Sequence, residues 1–326
     1  MKIALIGTGA YGVAMANMLA KKNKNIIMWT ESDKLYNKYV EDGYVIKDIL
    51  PGVTCPDYIK LSRSYDECIN GADIIFIMAA AQFVGSICRD IKHLVKKNMI
   101  VCIASKGIDN NSCMFLSDIC YSELNTKNIA VISGPSFAID MANGNPVGLS
   151  IGSRSGKTRE KIKKVLANDT LKLRDTRDII GIQVCGSIKN VIALAAGMVN
   201  GMGYPESTQS FLITESLHDI KELIKALGGN PKTINSFAGV GDLLLTCTST
   251  KSRNYSFGTV IGQGASIKEK EEYLNNNTVE GYHTLKSIYK LIKNKKIKMP
   301  IIDLIYKIVM KDEEPQTLIK FLINKK

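Results

Sequence analysis

Lys189 and Asn190 stand side by side near the start of a run of small and apolar residues, Gly186-Ser-Ile-Lys-Asn-Val-Ile-Ala-Leu-Ala-Ala-Gly197-Met-Val-Asn-Gly-Met-Gly203. Such a run reads as a buried helix, and an ammonium buried without a partner costs several kcal/mol or shifts its pKa by several units. A lysine kept there is one that something binds or that chemistry uses, because an amine of lowered pKa can give and take a proton near neutrality. The plain alternative is a lysine that snorkels from a helix end. His93, His218 and His283 are scattered, so the sequence does not favour a histidine base. The other chemistry-bearing clusters are Ser105-Lys106-Gly107, Gly239-Val-Gly-Asp242-Leu-Leu-Leu-Thr246-Cys247-Thr248, Ser252-Arg253-Asn254 and Val279-Glu280-Gly281.

A glycine-rich motif at the N-terminus supplies a second kind of chemistry. Ile3-Ala-Leu-Ile6 runs into Gly7-Thr-Gly9-Ala10-Tyr11-Gly12, and Val13 to Lys22 reads as a helix. In that context Gly7 allows the tight turn, Gly9 lets the backbone approach a pyrophosphate and Gly12 lets helix and strand pack closely. The phosphates would meet free N–H groups at the helix N-terminus; a purely structural glycine turn is the competing reading. A second strand over 25–29 ends at Trp29, and Glu31 follows 19 positions after Gly12. An acid there would accept from a ribose 2′-hydroxyl and repel a 2′-phosphate, which leans towards NAD over NADP, unless Glu31 is only a solvated loop carboxylate.

The elements that must position these groups alternate. Apolar strands at 74–78, 100–104 and 129–133 are separated by helical patterns around 62–70, 82–97 and 112–124, which predicts a parallel sheet covered on both faces. Two further strands, 146–152 and 171–174, flank a basic helix over 155–167. Beyond Ile180 the pattern is helical only, near 180–202, 207–228, 231–237, 241–248, 253–263, 278–294 and 299–310. The expectation is an α/β fold, a Rossmann-type doubly wound sheet over 1–180 followed by an all-helical domain over 181–326.

Composition narrows the class. The chain has 326 residues, of which 45% are hydrophobic and 23% charged, enough for two cores. The net charge of +12 comes from dispersed lysines, so a solvated basic surface is expected, with steering of small anions as the alternative, and nucleic acid is not expected. Eight cysteines without a CxxC pair read as reduced thiols in a cytoplasmic protein, with neither a disulfide frame nor a metal site. The longest strongly apolar run, Ile74 to Ala81, is too short to span a bilayer, so no integral membrane segment is expected.

These motifs in this order resemble the bacterial-type NAD(P)-dependent glycerol-3-phosphate dehydrogenase family. GTGAYG at 7–12, SKG at 105–107, SGPSFA at 133–138, IKNVIALAAGMVNGMGY at 188–204, GVGDLLLTCTSTKSRNYSFG at 239–258 and VEGY at 279–282 carry the likeness over nearly the whole chain. The resemblance implies reversible reduction of dihydroxyacetone phosphate to sn-glycerol 3-phosphate, with NAD or NADP as cofactor, in support of phospholipid synthesis. It implies Lys189 as the proton donor and acceptor. Lys106, Asn190, Asp242 and Thr246 would hold the reacting end, Gly134 and Ser136 would lie against the substrate, and Ser252, Arg253 and Asn254 would take its phosphate. Gly7, Gly9, Ala10, Tyr11, Gly12, Trp29, Glu31, Ala138 and Glu280 would line the cofactor, together with Lys106 and Arg253. A homodimer through the helical domain is also implied.

The chemistry is self-consistent: hydride reaching a ketone carbon leaves an alkoxide that needs a proton and nearby positive charge, and two lysines supply both. Repulsion between Lys106 and Lys189, added to burial, would lower a lysine pKa, while Asp242 would oppose that shift. Asp242 as a mere N-cap for 243–248, and Arg253 as a surface residue, are the plain readings. The chain departs from the family at Ala79-Ala80-Ala81-Gln82, where Val-Pro-Ser is usual, and at Ile213-Thr-Glu215-Ser-Leu217, where the family carries Arg in place of Glu215. Two other classes compete: a dehydrogenase of the same plan for 6-phosphogluconate or a 3-hydroxyacyl-CoA, and a non-catalytic dinucleotide sensor. The Ser252-Arg253-Asn254 cluster argues against the first and the retention of both lysines against the second.

Overall fold

A computed structural model describes residues 1–110 and 112–325. The chain divides into two compact units, Met1–Ser105 with Leu116–Ile179, and Lys106–Phe115 with Ile180–Lys326. The excursion 106–115, counted with the first domain from sequence, belongs to the second unit.

The first unit is built on one eight-stranded sheet. Its elements are β1 (Ile3–Ile6), α1 (Ala10–Ala20), β2 (Ile26–Trp29), α2 (Asp33–Glu41), β3 (Ile59–Ser62), α3 (Tyr65–Ile69), β4 (Ile74–Ile77), α4 (Ala81–Ile91), β5 (Ile100–Ile103), α5 (Leu116–Glu123), β6 (Ile129–Ser133), α6 (Ala138–Ala142), β7 (Val147–Gly152), α7 (Gly156–Leu166) and β8 (Leu171–Thr176). The strand order is β3-β2-β1-β4-β5-β6-β7-β8. Ile3 of β1 pairs with Ile26 on one side and Ile74 on the other, so β1 lies inside the sheet and is buried along its length. Its apolar run therefore reads as continuous rather than alternating.

The sequence predicts a parallel sheet for the strands through 129–133 and gives no orientation for the two that follow; β6 and β7 run antiparallel, with Ile132 opposite Ile151. A parallel return needs a crossover that carries the chain back along the strand, and α6 between them is little more than one turn. Two elements depart from the sequence reading. β3 occupies Ile59–Ser62, where only a helix around 62–70 is expected, and α2 is a polar helix whose one buried residue is Tyr39. Ser32 caps it by accepting from the amide of Leu35.

The second unit is helical: α8 (Ile179–Gly201), α9 (Glu206–Ala226), a 3-10 turn at Pro231–Asn235, a wide turn at Phe237–Gly241, then α10 (Asp242–Cys247), α11 (Arg253–Gly262), α12 (Ile267–Asn276), α13 (Glu280–Asn294), α14 (Pro300–Lys311) and α15 (Gln316–Asn324). α12 and α15 lie outside the helices expected from sequence; α12 buries no residue and starts on a Ser266–Glu269 capping box, whereas α15 buries Leu318 and Leu322. α8 is 23 residues long and apolar enough to cross a membrane, unlike the shorter run singled out from sequence, and 94% of its most apolar stretch is buried inside the protein.

Glycines set how closely α8 and α11 cross. A Cβ at Gly197 would lie 2.0 Å from the carbonyl oxygen of Tyr255, and one at Gly258 would lie 2.0 Å from that of Leu194. Backbone meets backbone, so neither site has a flexible side chain that can move aside. Glu215, which departs from the family pattern, has a local partner: Lys325 lies 3.0 Å from its carboxylate and 2.9 Å from that of Asp219.

Gly258→Ala should prise the two helices apart and cost about 2 kcal/mol or more, as overpacking of a tight core does. A urea midpoint unchanged from wild type would refute the crossing geometry.

Candidate active site

Asp242 begins α10, and its carboxylate is the junction of the second unit's charges. It is 1% exposed. Lys106 Nζ donates to Asp242 Oδ2 at 2.7 Å, and Lys189 Nζ lies 2.9 Å from Asp242 Oδ1, so one carboxylate holds two ammonium groups. Lys189 Nζ also donates to Thr246 Oγ1 at 2.7 Å, and that hydroxyl donates to the carbonyl of Asp242 at 2.6 Å. Gly241, not Asp242, occupies the helix N-cap, and no side chain caps the end. The aspartate is placed by the helix start but spent on the lysines.

The chain before α10 winds through a turn kinked at Gly239, where a Cβ would lie 2.0 Å from the carbonyl oxygen of Ile234. Only glycine fits there. One helical turn later, the i to i+4 spacing stacks Thr246 over Asp242, and both face Lys189 of α8.

Burial pushes Lys189 below the ordinary lysine value of 10.5; Asp242 pulls it back up and Lys106 pushes it further down, with the net shift downward. For Asp242, burial raises the carboxyl, but the charges and hydrogen bonds of Lys106 and Lys189 outweigh it and hold it below the usual carboxylate range. The site thus has a firmly ionised acid between one amine eased towards neutrality and a second, more open one. The side chains of Lys106 and Lys189 are 16% and 9% exposed.

Asn190, one residue along α8, donates from Nδ2 to Glu280 Oε2 at 3.1 Å and accepts from Asn254 Nδ2 at 3.1 Å. Ser252 caps α11 by accepting from the amide of Tyr255, and Arg253, the first residue of that helix, is exposed. The helical unit therefore holds two hydrogen-bonded sets, Lys106, Asp242, Lys189 and Thr246 in one and Glu280, Asn190 and Asn254 in the other, which meet at the adjacent residues Lys189 and Asn190 of α8, with Ser252 and Arg253 at the start of α11.

The remaining residues singled out from sequence belong to the first unit. Gly7 has φ +120, and a Cβ at Gly12 would lie 2.4 Å from the Gly7 carbonyl oxygen, so turn and helix touch as a dinucleotide cradle requires. Gly9 is the N-cap of α1, Gly9 and Ala10 are exposed, and the first turn carries no acid. A Cβ at Gly9 would meet nothing within 4 Å, so open space lies over the helix's free amides. That cradle fits the pyrophosphate of a dinucleotide, with Gly7, Gly9, Ala10, Tyr11 and Gly12 as its wall. Tyr11 Oη and Ser136 Oγ are 3.2 Å apart, and Ser136 donates to the carbonyl of Gly134. Gly134 has a packing reason to be glycine, since a Cβ there would lie 2.2 Å from the carbonyl oxygen of Gly148. Ala138 opens the short helix α6.

At the end of β2, Trp29 stacks on Tyr65 with ring centroids 4.2 Å apart, and its indole N–H donates to the carbonyl of Arg63. Glu31 is exposed, and Asp33 forms an ion pair with Arg63. Sequence reasoning missed Arg63 because it missed β3, after which this residue follows. A carboxylate at 31 and a guanidinium at 63 are groups of opposite ribose preference, the first for a plain 2′-hydroxyl and the second for a phosphorylated one.

The chain matches the family profile described as the NAD-dependent glycerol-3-phosphate dehydrogenase N-terminus over residues 2–159, and the corresponding C-terminus over residues 178–320. It is 31% identical over 328 residues to a glycerol-3-phosphate dehydrogenase [NAD(P)+] of Listeria innocua, covering 100% of this chain and 96% of that protein. The enzyme of the same name from Bacillus subtilis is 31% identical over 325 residues, covering 99% and 94%. Among solved structures, a glycerol-3-phosphate dehydrogenase from Coxiella burnetii superimposes with a TM-score of 0.93 at 27% identity, covering 99% of each chain. With both halves of the chain matched in order, the protein belongs to the NAD-dependent glycerol-3-phosphate dehydrogenase family.

Proposed function

We propose that the protein reversibly reduces dihydroxyacetone phosphate to sn-glycerol 3-phosphate with NADH or NADPH, and that Lys189 is the group that moves the proton. The observation that carries this reading is the buried Lys106–Asp242–Lys189–Thr246 cluster. The nicotinamide cofactor supplies the hydride in reduction and takes it back in oxidation.

As the substrate's carbonyl oxygen turns into an alkoxide, it needs a proton and positive charge in a place where water is excluded. Two of the three N–H bonds of Lys189 point to Asp242 and Thr246, and the third is the one the oxygen would take. Donation from Nζ leaves a neutral amine, a state that burial already favours. In the reverse direction the same amine accepts the hydroxyl proton. Lys106, held by Asp242 at 2.7 Å, would stabilise the oxyanion, while Thr246 fixes the rotamer of Lys189. Arg253 and the open start of α11, capped by Ser252, suit a phosphate dianion, combining a planar fork with free helix amides. Gly134 and Ser136 would bound the substrate, and the glycine cradle with Trp29, Glu31 and Ala138 would hold the dinucleotide. The weak lean to NAD rests on Glu31 alone; Arg63 supports use of NADP as well.

The same reading makes the protein a cytoplasmic homodimer that supplies glycerol 3-phosphate to phospholipid synthesis. Sedimentation of the purified protein as a dimer checks the assembly.

The direct test is paired oxidation of NADH and NADPH on addition of dihydroxyacetone phosphate. Neither reduced cofactor being consumed would overturn the reading. Lys189→Ala should lower kcat at least about 100-fold, the value of a positioned general acid. The sign of the pH dependence follows from the lowered pKa of Lys189. Reduction needs the protonated amine, so its kcat should fall as pH rises, with a midpoint below 10.5, and oxidation should rise through the same midpoint. Lys106→Met removes a charge that pushes Lys189 down and should move that midpoint up. Asp242→Asn leaves two ammonium groups facing each other and should destabilise the fold by about 3 kcal/mol at neutral pH, less as the pH approaches 10.5. Equal urea midpoints for Asp242→Asn and wild type would contradict this.

A further inference from the structure

The two ends of the eight-stranded sheet differ in charge. The turns that lead into β2, β5 and β6 lie at the amino end of these parallel strands, and the turn after β7 joins them because β7 runs antiparallel to β6. The turn 21–25 carries Lys21, Lys22 and Lys24, the turn 92–99 carries Lys92, Lys96 and Lys97, and the turns 124–128 and 153–155 carry Lys127 and Arg154. None of the four turns holds a carboxylate. All these cations are exposed, and none forms an ion pair among the described residues. The turns at the opposite end, 7–9, 30–32, 63–64, 78–80, 134–137, 143–146 and 167–170, have only Arg63, Glu31 and Asp169 as charged residues.

The other turns at the amino end, 42–58 and 70–73, supply Asp42, Asp48, Asp57 and Asp73, and three of these already face lysines. Asp42 lies 3.0 Å from Lys47, Asp48 lies 3.0 Å from Lys38 and Asp73 lies 3.8 Å from Lys161, so the surplus of positive charge stands. A cavity of about 720 Å³ opens among the basic turns, lined by Asp118, Tyr121, Ser122, Lys127, Arg154 and Ser155. The Arg154 guanidinium lies over the Tyr121 ring, 5.0 Å from its centroid, and makes no hydrogen bond to the described residues. Lys127 spends one N–H on the Tyr121 carbonyl, at 3.2 Å. Stacking orders the guanidinium fork while its donors stay open, which suits a phosphate group. Asp118 in the same wall leaves one net positive charge, which fits a singly charged phosphodiester better than a phosphate dianion.

We propose that this end of the sheet is a docking face for an anionic phospholipid bilayer, with the Lys127–Arg154 cavity receiving one lipid phosphate. The basic turns span the strands β2-β1-β4-β5-β6-β7, a breadth of about 24 Å at about 4.8 Å per strand spacing. Lysines spread over such a breadth gain from the negative surface potential of a leaflet. None of the four turns carries a helix or ribbon to enter a nucleic-acid groove, and none holds Phe, Tyr or Trp on which a base could stack. The glycine cradle lies at the carboxyl end of β1, so a docked protein keeps it turned towards water. Docking is independent of the reaction at the buried lysines, which belong to the other unit.

The test is co-sedimentation of the full-length protein with vesicles of phosphatidylcholine alone, and with vesicles in which about a third of the lipid is phosphatidylglycerol. The protein should sediment with the anionic vesicles and not with the neutral ones. Raising sodium chloride from about 0.05 M to about 0.5 M should release it, because screening shortens the reach of exposed charges. The paired changes Lys96→Gln with Lys97→Gln, and Lys127→Gln with Arg154→Gln, should each lower the partition coefficient about tenfold or more, at roughly fivefold per cation. Lys268→Gln with Lys298→Gln removes two exposed lysines from the helical unit and should leave partition unchanged. Reduction of dihydroxyacetone phosphate in the absence of vesicles should be the same in all three variants as in wild type.

Failure to sediment with anionic vesicles, or equal sedimentation with neutral ones, overturns the docking face. A loss in the Lys268 and Lys298 variant as large as in the other two also overturns it, since the overall charge of the protein would then explain the adsorption. Tighter binding to a short DNA duplex than to anionic vesicles at equal salt would make the same cations a nucleic-acid surface instead. If the variant with Arg154 changed does not fold, the Lys96 and Lys97 pair decides the outcome by the same measure. Wild-type protein that docks on anionic vesicles yet leaves dihydroxyacetone phosphate unreduced would remove the proposed reaction and leave the docking face standing.

Discussion

Everything at the candidate site depends on one buried carboxylate shared by two lysines. Asp242 meets Lys106 on one oxygen and Lys189 on the other, at 2.7 and 2.9 Å. The cost of burying three charges is large, and Coulomb attraction offsets it only when geometry is close and remaining hydrogen bonds are met. Here the odd charge decides the chemistry. Two cations and one anion leave a net positive site, which favours an electron-rich oxygen, and burial takes the surplus out on the more enclosed amine. Lys189 is therefore driven towards giving up its proton, while Lys106 lies nearer to solvent. A second carboxylate, Glu280, accepts from Asn190 and pulls Lys189 upward, against burial and Lys106.

That electrostatic balance requires positional accuracy, and the helical unit supplies it through backbone contact more than through side-chain packing. Gly197 and Gly258 let α8 and α11 touch at van der Waals distance, and Gly281 brings the first turn of α13 against Asn190. Helices this close have few alternative registers, because a slide of one residue would place a side chain where only hydrogen fits. Such a crossing also explains why a helix apolar enough for a membrane is found in a protein core: nearly all of its surface is used by neighbours.

What the sequence could disclose follows from which forces are local. The glycine cradle, β1 and the strands through β6 are legible because each is marked by a continuous apolar run or a glycine spacing with a backbone cause. Lys189 stood out because a charge in an apolar run is a local anomaly. By contrast, β3 alternates over only four residues and α2 and α12 bury little, so propensity and capping alone mark them, and those signals are weak in a single chain. The antiparallel β6–β7 pairing was hidden because it depends on the brevity of α6. Partners were the least legible. That Asn254 faces Asn190, or that Arg63 stands beside Asp33, is a matter of tertiary contact, and neither has a sequence spacing to betray it. The function nevertheless came through, since motif order along the whole chain carries more information than any of the local geometry.

The placement of Lys106 has the largest functional consequence. From sequence it follows the strand over 100–104 and is counted with the first domain; in the structure the stretch Lys106–Phe115 is part of the helical unit. An Ile108–Phe115 bridge closes the loop, Asp109 accepts from both the amide and the hydroxyl of Ser112, and Ser287 of α13 donates to Asn110. Lys106 is thereby fixed to the same body as Asp242 and Lys189, although its neighbour Ser105 is not. All three charges are assembled within one unit before any ligand arrives, so no reorganisation of ionised groups is needed when negative charge develops on the substrate. Without Lys106 the buried Asp242 carboxylate would lose one of its two cations, a cost of several kcal/mol. The stretch 106–115 supplies that cation from within the helical unit, which is a physical reason for a loop that the alternation of strands and helices alone would not require.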